Sequence, residues 1–207
     1  ALAEIFGCTI RTIGAGRTDA GVHAAGQVFH FDASWKHPED SLLQALRVRL
    51  PVGISPRMVT AVPDRFHAHI SAQGKRYRYR ICPGWAMPEK DRFVHSMKGR
   101  TLQLDRMKEA ASCFLGTHDF AAFAANRGHG EKEPTVRKLW RSEWRVQGGE
   151  LHFITEAKGY LYKMVRSMTG AMIDVGLGRM EPSEISEILL SSKRTGRVVS
   201  APARGLS

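Results

Sequence analysis

Gly14-Ala15-Gly16-Arg17-Thr18-Asp19-Ala20-Gly21-Val22-His23-Ala24-Ala25-Gly26-Gln27-Val28 lies between two runs of strand character. Before it, residues 5–13 alternate loosely, with Thr9 and Arg11 interleaved; after it, Gln27-Val28-Phe29-His30-Phe31 reads as a partner strand. Glycine lets a backbone turn sharply and come close to a ligand. The order strand–turn–strand departs from the strand–glycine loop–helix that cradles a phosphate. Gly14-x-Gly16 also lacks the third fingerprint glycine, and no Gly-Lys-Ser/Thr follows it. What the turn does carry is Asp19, flanked by Arg17 and Thr18. In a chain of net charge +11, such a carboxylate points to acid chemistry in a site that attracts phosphates.

Outward from that turn, Leu42, Leu43, Leu46 and Leu50 follow helical spacing behind Asp40 and Ser41, and Pro51 closes the helix. Residues 54–62 read as a further strand, irregular or at an edge because of Pro56. The cleanest strand is Lys75-Arg76-Tyr77-Arg78-Tyr79-Arg80-Ile81, with Tyr77, Tyr79 and Ile81 on one face and three arginines on the other. Rings stack on bases and guanidinium groups grip phosphate, so this element suits nucleic acid. Residues 83–99 lose periodicity and read as a long loop. Met107, Ala110, Ala111, Phe114 and Leu115 mark a helix stopped by Gly116. A charged, glycine-containing loop over 126–134 precedes strands over 135–146 and 151–157. Helices follow over 160–175 and 183–190, with methionines as core filler. Strands and helices without regular β-α alternation predict an α+β fold with mainly antiparallel sheets.

Composition limits the partners. Lys and Arg number 31 against 20 Asp and Glu, an excess that points to a polyanion, most simply nucleic acid. No apolar run approaches the roughly 20 residues that span a bilayer. The basic residues are scattered and not gathered on one amphipathic helix, so no membrane partner is expected. Cys8, Cys82 and Cys113 are odd in number, far apart and without a Cys-x-x-Cys pair, which fits a reducing, cytoplasmic compartment. His67 and His69 have no partner cluster nearby, and no metal is expected. Neither a Gly-x-Ser-x-Gly elbow nor a cysteine nucleophile motif is present. The chain opens without methionine and reads as a fragment of a longer protein, in which case a targeting segment is not observable.

Four blocks, in order, carry a resemblance to the tRNA pseudouridine synthase A family. They are Gly16-Arg17-Thr18-Asp19-Ala20-Gly21-Val22-His23, then Phe66-His67-Ala68 with Lys75-Arg76-Tyr77-Arg78-Tyr79. Gly116-Thr117-His118-Asp119-Phe120-Ala121-Ala122-Phe123 and Lys163-Met164-Val165-Arg166-Ser167-Met168-Thr169-Gly170 complete the set. The resemblance implies cofactor-independent isomerisation of uridine to pseudouridine in the anticodon stem-loop of tRNA, at positions thirty-eight to forty, by a homodimer. It implies that Asp19 is the catalytic carboxylate, either attacking the ribose or taking a ribose proton. Arg166 corresponds to the arginine that pairs with it, and a guanidinium partner favours the charged form of a carboxylate in a dry pocket. Tyr77 corresponds to the tyrosine that stacks on the target base, and Arg17 to an arginine that takes the place of the flipped base. Thr18 shapes the turn; His23 and Gln27 contact RNA or brace the loop, and Arg76 and Arg78 are further RNA contacts.

Pattern and resemblance together give an α+β fold of two related lobes, each a mainly antiparallel sheet with packed helices. Residues 1–70 form an N-terminal lobe that carries the Asp19 loop and lacks the family's first strand; residues 71–207 form the C-terminal lobe. The active-site cleft is expected between them, basic, with Asp19, Tyr77 and Arg166. The competing readings are a non-catalytic RNA-binding or RNA-chaperone protein, and a pseudouridine synthase acting on other RNAs. Against the first, simple binding has no need of a carboxylate amid phosphates.

Overall fold

A strand of alternating rings and arginines needs partners on both edges and a cover for its rings, and the sequence around residues 75–207 supplies both. The computed structural model describes residues 1–125 and 134–207. Most of the loop read over 126–134 therefore lies outside the described residues. The chain divides into two units, residues 1–17 with 26–72, and residues 18–25 with 73–207.

In the first unit α1 (Leu2–Phe6) ends at Gly7, whose φ of 69° is the left-handed conformation that closes a helix. Residues 5–13 are therefore not the expected strand. Only β1 (Ile13–Gly14) pairs, antiparallel to β2 (Phe29–His30), with Ile13 opposite His30. Alternation makes a strand possible, but a ladder needs a partner in register, and residues 8–12 find none. Phe6 packs its ring edge-on against Phe31 and Trp35, at 5.9 and 5.7 Å between centroids. α2 (Glu39–Arg49) buries Leu42, Leu43 and Leu46, with acids in its first turn and arginines in its last, as the macrodipole favours. Residues 54–62 form no strand; Ile54, Met58 and Val62 are exposed.

In the second unit β3 (Lys75–Cys82) is followed by the short helix α3 (Pro88–Asp91) and by β4 (His95–Ser96), which lie inside the segment expected to be loop. Then come α4 (Leu104–Ser112), β5 (Gly116–Asp119), β6 (Val136–Gln147), β7 (Glu150–Ala157), α5 (Met164–Gly176) and α6 (Pro182–Ser191). The five-stranded sheet runs β4-β3-β7-β6-β5, antiparallel except for the β3–β4 pair. The α+β class read from the sequence is what this sheet and its helices form. β6 and β7 join through Gly148 and Gly149, both at positive φ, the two-residue turn whose twist matches the strands it connects.

Register decides the core. Tyr79 stands opposite Phe153, and Phe153 opposite Trp144, so these rings share one face. That face buries Tyr79, Ile81 and Phe153 against Met107 of α4 and Met164, Met168 and Met172 of α5. Burying each such side chain contributes about 1.5–3 kcal/mol. Gly170 lets α5 meet the segment after α6: a Cβ there would fall 1.9 Å from the Val199 carbonyl oxygen. Ala201 N–H donates to the Arg166 carbonyl at 2.9 Å, tying that segment along the first turns of α5.

Candidate active site

The glycine-punctuated turn closes with a Val22 N–H to Asp19 carbonyl bond of 3.0 Å, and Gly21 takes a φ of 79° that a side chain would strain. His23 N–H then donates to the Leu206 carbonyl at 3.0 Å. The His23 ring hydrogen-bonds the Arg92 carbonyl at 2.7 Å and lies 4.6 Å from the Phe93 ring. The loop is thus pinned on two sides within the second unit, with the Asp19 side chain held between.

Arg166 Nη1 donates to Asp19 Oδ2 at 2.9 Å, and Arg166 Nε donates to the Ala201 carbonyl at 2.8 Å. The Asp19 side chain is 23% exposed and that of Arg166 15%, so the pair is shielded but reachable. Asp19 Oδ1 has no hydrogen-bond partner among the described residues. One carboxylate oxygen is held by Arg166 and the other has no partner among the described residues.

Tyr77, on the β3 face toward the core, meets the Tyr160 ring edge-on at 5.0 Å. Burial, and then the nearby Asp19 carboxylate, push the Tyr77 phenol above its ordinary value of 10.0, so it stays neutral. Tyr160 is fixed in turn by a hydrogen bond between its hydroxyl and Thr155 Oγ1 at 3.1 Å, and burial raises its phenol as well. Behind Tyr77, the Tyr79 hydroxyl donates to the Pro202 carbonyl at 2.8 Å and the ring is fully buried, which leaves it a core residue.

Asp19, Tyr77 and Arg166 are therefore brought together. Thr18 and His23 belong to the same loop; Thr18 is exposed and His23 braces the loop through Arg92. Arg17 and Gln27 belong to the first unit. Arg17 is exposed and has no ion-pair partner among the described residues, while the Gln27 amide donates to the Gly16 carbonyl at 2.8 Å and steadies the turn. Arg76 is engaged by Glu156 at 2.7 Å; Arg78 has no side-chain partner among the described residues. The sequence reading placed Tyr160 in a helix, whereas α5 begins only at Met164, after Lys163 in a left-handed conformation. The Gly159-Tyr160 step was the available signal. The Ala201 carbonyl had none, being backbone. No group of three or more His, Cys, Asp or Glu side chains among the described residues is placed to hold a metal ion. No helix among them is long and apolar enough to cross a membrane.

An α+β protein whose aspartate is anchored by a shielded arginine beside a tyrosine ring meets, over residues 110–207, the family model described as tRNA pseudouridine synthase. It is 39% identical over 197 residues to the tRNA pseudouridine synthase A of Bacillus licheniformis, covering 95% of this chain and 79% of that one. With the enzyme of the same name from Methylacidiphilum infernorum it shares 40% identity over 209 residues, covering 100% of this chain and 80% of the relative. For that of Geobacillus kaustophilus the figures are 36% over 203 residues, 97% and 77%. The chain belongs to the tRNA pseudouridine synthase A family.

Proposed function

We propose that this protein isomerises uridine to pseudouridine in tRNA, with Asp19 as the catalytic carboxylate, and that the substrate uridines lie in the anticodon stem-loop at positions thirty-eight to forty. The relatives' shared name supplies the reaction and the RNA. The observation that carries the assignment of residues is the Asp19–Arg166 pair, with one oxygen held at 2.9 Å and the other free. In the isomerisation the bond from ribose C1′ to uracil N1 breaks and a bond from C1′ to C5 forms. The C5 hydrogen leaves as a proton and N1 gains one, so the net composition is unchanged. The base must first leave its stack, at a cost of a few kcal/mol.

Asp19 Oδ1 is the atom that acts on the ribose, at C1′ as a nucleophile or at a ribose hydrogen as a base, while Arg166 holds Oδ2 at 2.9 Å and so aims the carboxyl group. Tyr77 holds the detached uracil against its ring while the base turns, and Tyr160 keeps that ring in place. Arg17 and Thr18 meet the RNA around the flipped nucleotide. A homodimer in the cytoplasm, binding tRNA across both subunits, is the working form, and sedimentation with and without tRNA tests it.

The decisive experiment is tritium release from tRNA labelled at uridine C5, with the unmutated protein and with Asp19→Ala. Release by the unmutated protein alone is expected. Release by both would overturn the role of Asp19, and tRNA binding without release by either would indicate a non-catalytic RNA-binding protein.

A further inference from the structure

On the face of β3 opposite Tyr77 and Tyr79, a cavity of about 340 Å³ is lined by Arg78, Arg80, Lys90, Gln147, Glu150 and His152. Its charges are unequally committed. Arg80 grips Glu150 with two bonds, Nε to Oε2 at 2.8 Å and Nη2 to Oε1 at 3.0 Å, which neutralises the one acid in the wall. That contact is the main reason the Glu150 carboxyl lies below its ordinary value and stays ionised. Arg78 and Lys90 have no side-chain partner among the described residues. The cavity is therefore left with two uncommitted cations.

His152 forms part of the same wall, and its side chain is 7% exposed. Nε2 stands 3.2 Å from Glu150 Oε2, and because an ionised carboxylate only accepts, Nε2 is the donor. Nδ1 is buried with no partner among the described residues. Gly148, in the turn between β6 and β7, bounds one side of the cavity with backbone and no side chain.

We infer that this cavity binds a phosphate group, and that in the working enzyme this is a backbone phosphate of the tRNA, at a point remote from the reacting uridine. The inference rests on the tRNA reading above. Two free cations and a neutralised acid suit a tetrahedral anion; Arg78 offers a fork of donors and Lys90 a point charge. A phosphate contact of this kind positions RNA without reading its sequence. The location on the far face of β3 from Tyr77 keeps it separate from the Asp19 site.

The test uses the whole chain, an unmodified tRNA transcript and inorganic phosphate. The unmutated protein is compared with an Arg78→Gln/Lys90→Gln double variant, with Arg78→Lys, and with Lys108→Gln, a surface lysine on α4 paired to Asp105. Circular dichroism checks that each is folded. The double variant should bind tRNA about tenfold more weakly, with the slope of log affinity against log salt reduced by about one. Arg78→Lys should retain the slope, and Lys108→Gln should bind like the unmutated protein. Inorganic phosphate should shift the His152 ring signals in the NMR spectrum of the unmutated protein and not of the double variant. Equal tRNA affinity and slope in the double variant and the unmutated protein would overturn the tRNA assignment. If His152 still responded to phosphate in that case, the cavity would belong to a free phosphate instead. Absence of uridine isomerisation by a protein that binds tRNA with the expected slope would count against the proposed reaction and leave this site standing.

Discussion

Arg166 makes two different bonds from one guanidinium group, Nη1 to Asp19 and Nε to the Ala201 carbonyl. Lysine carries the charge but not the fork. Arg166→Lys is therefore expected to lower pseudouridine formation about a hundredfold, roughly the loss of one oriented charged contact of 1.5–3 kcal/mol, while the protein stays folded. Single-turnover kinetics with a thermal melt separate the two effects. On the proposed role of Tyr77 the ring matters more than the hydroxyl, which stays neutral. Tyr77→Phe should keep most of the rate, whereas Tyr77→Ala should lose about 1–3 kcal/mol of base stacking, a tenfold to hundredfold fall. Little of this geometry is legible in spacing alone. Asp19 and Arg166 are 147 residues apart, and no periodicity relates them. The four motif blocks single out both, but the Ala201 carbonyl that completes the anchor is invisible to any reading of side chains.

Elements were legible where one face is buried. The alternation of Lys75–Cys82 predicts a strand because Tyr79 and Ile81 are core and Arg76 and Arg78 are not. The same reasoning misled at residues 5–13 and 54–62, where apolar residues alternate without a neighbouring strand to bond. β5, only four residues long, has too little pattern to detect and exists because β6 offers it an edge. The packing of α5 makes its own prediction. Gly170→Ala would drive a methyl into the Val199 carbonyl and push the 198–201 segment away, costing about 1–3 kcal/mol. Since that segment holds Arg166, activity and melting temperature should fall together, though Gly170 is not among the residues assigned to the site.

A second prediction concerns the face of the sheet bearing the arginines. Glu150 and Glu156 both sit below the ordinary value of 4.5, held there first by hydrogen bonds from Arg80 and from Arg141. Their folded values are depressed, so below 4.5 the unfolded chain takes up protons before the folded one does, and stability falls as pH falls. Melting temperature should be level between about pH 5.5 and 7 and decline from about pH 4.5 downward. Arg80→Gln should shallow that decline.

At the scale of the whole molecule, a net charge of +11 on 207 residues sets how the protein meets its substrate. Binding to tRNA should weaken steeply with salt, with a slope of about −3 to −6 in log affinity against log concentration. Fluorescence titrations between about 50 and 200 mM salt check this. A flat response would mean that the excess charge plays no part in recognition.

The separation of 147 positions between the carboxylate and its arginine also imposes an order in time. Asp19 leaves the ribosome before Arg166, the Ala201 carbonyl that anchors it and the Leu206 carbonyl that pins the loop. At about 5–20 residues per second, roughly 7–30 s of translation separate Asp19 from Arg166. A nascent chain stalled anywhere in that interval presents the aspartate with no guanidinium beside it. On the proposed role of Asp19, the carboxylate is armed only once the stretch that carries Arg166, Ala201 and Leu206 has been made and has folded onto it.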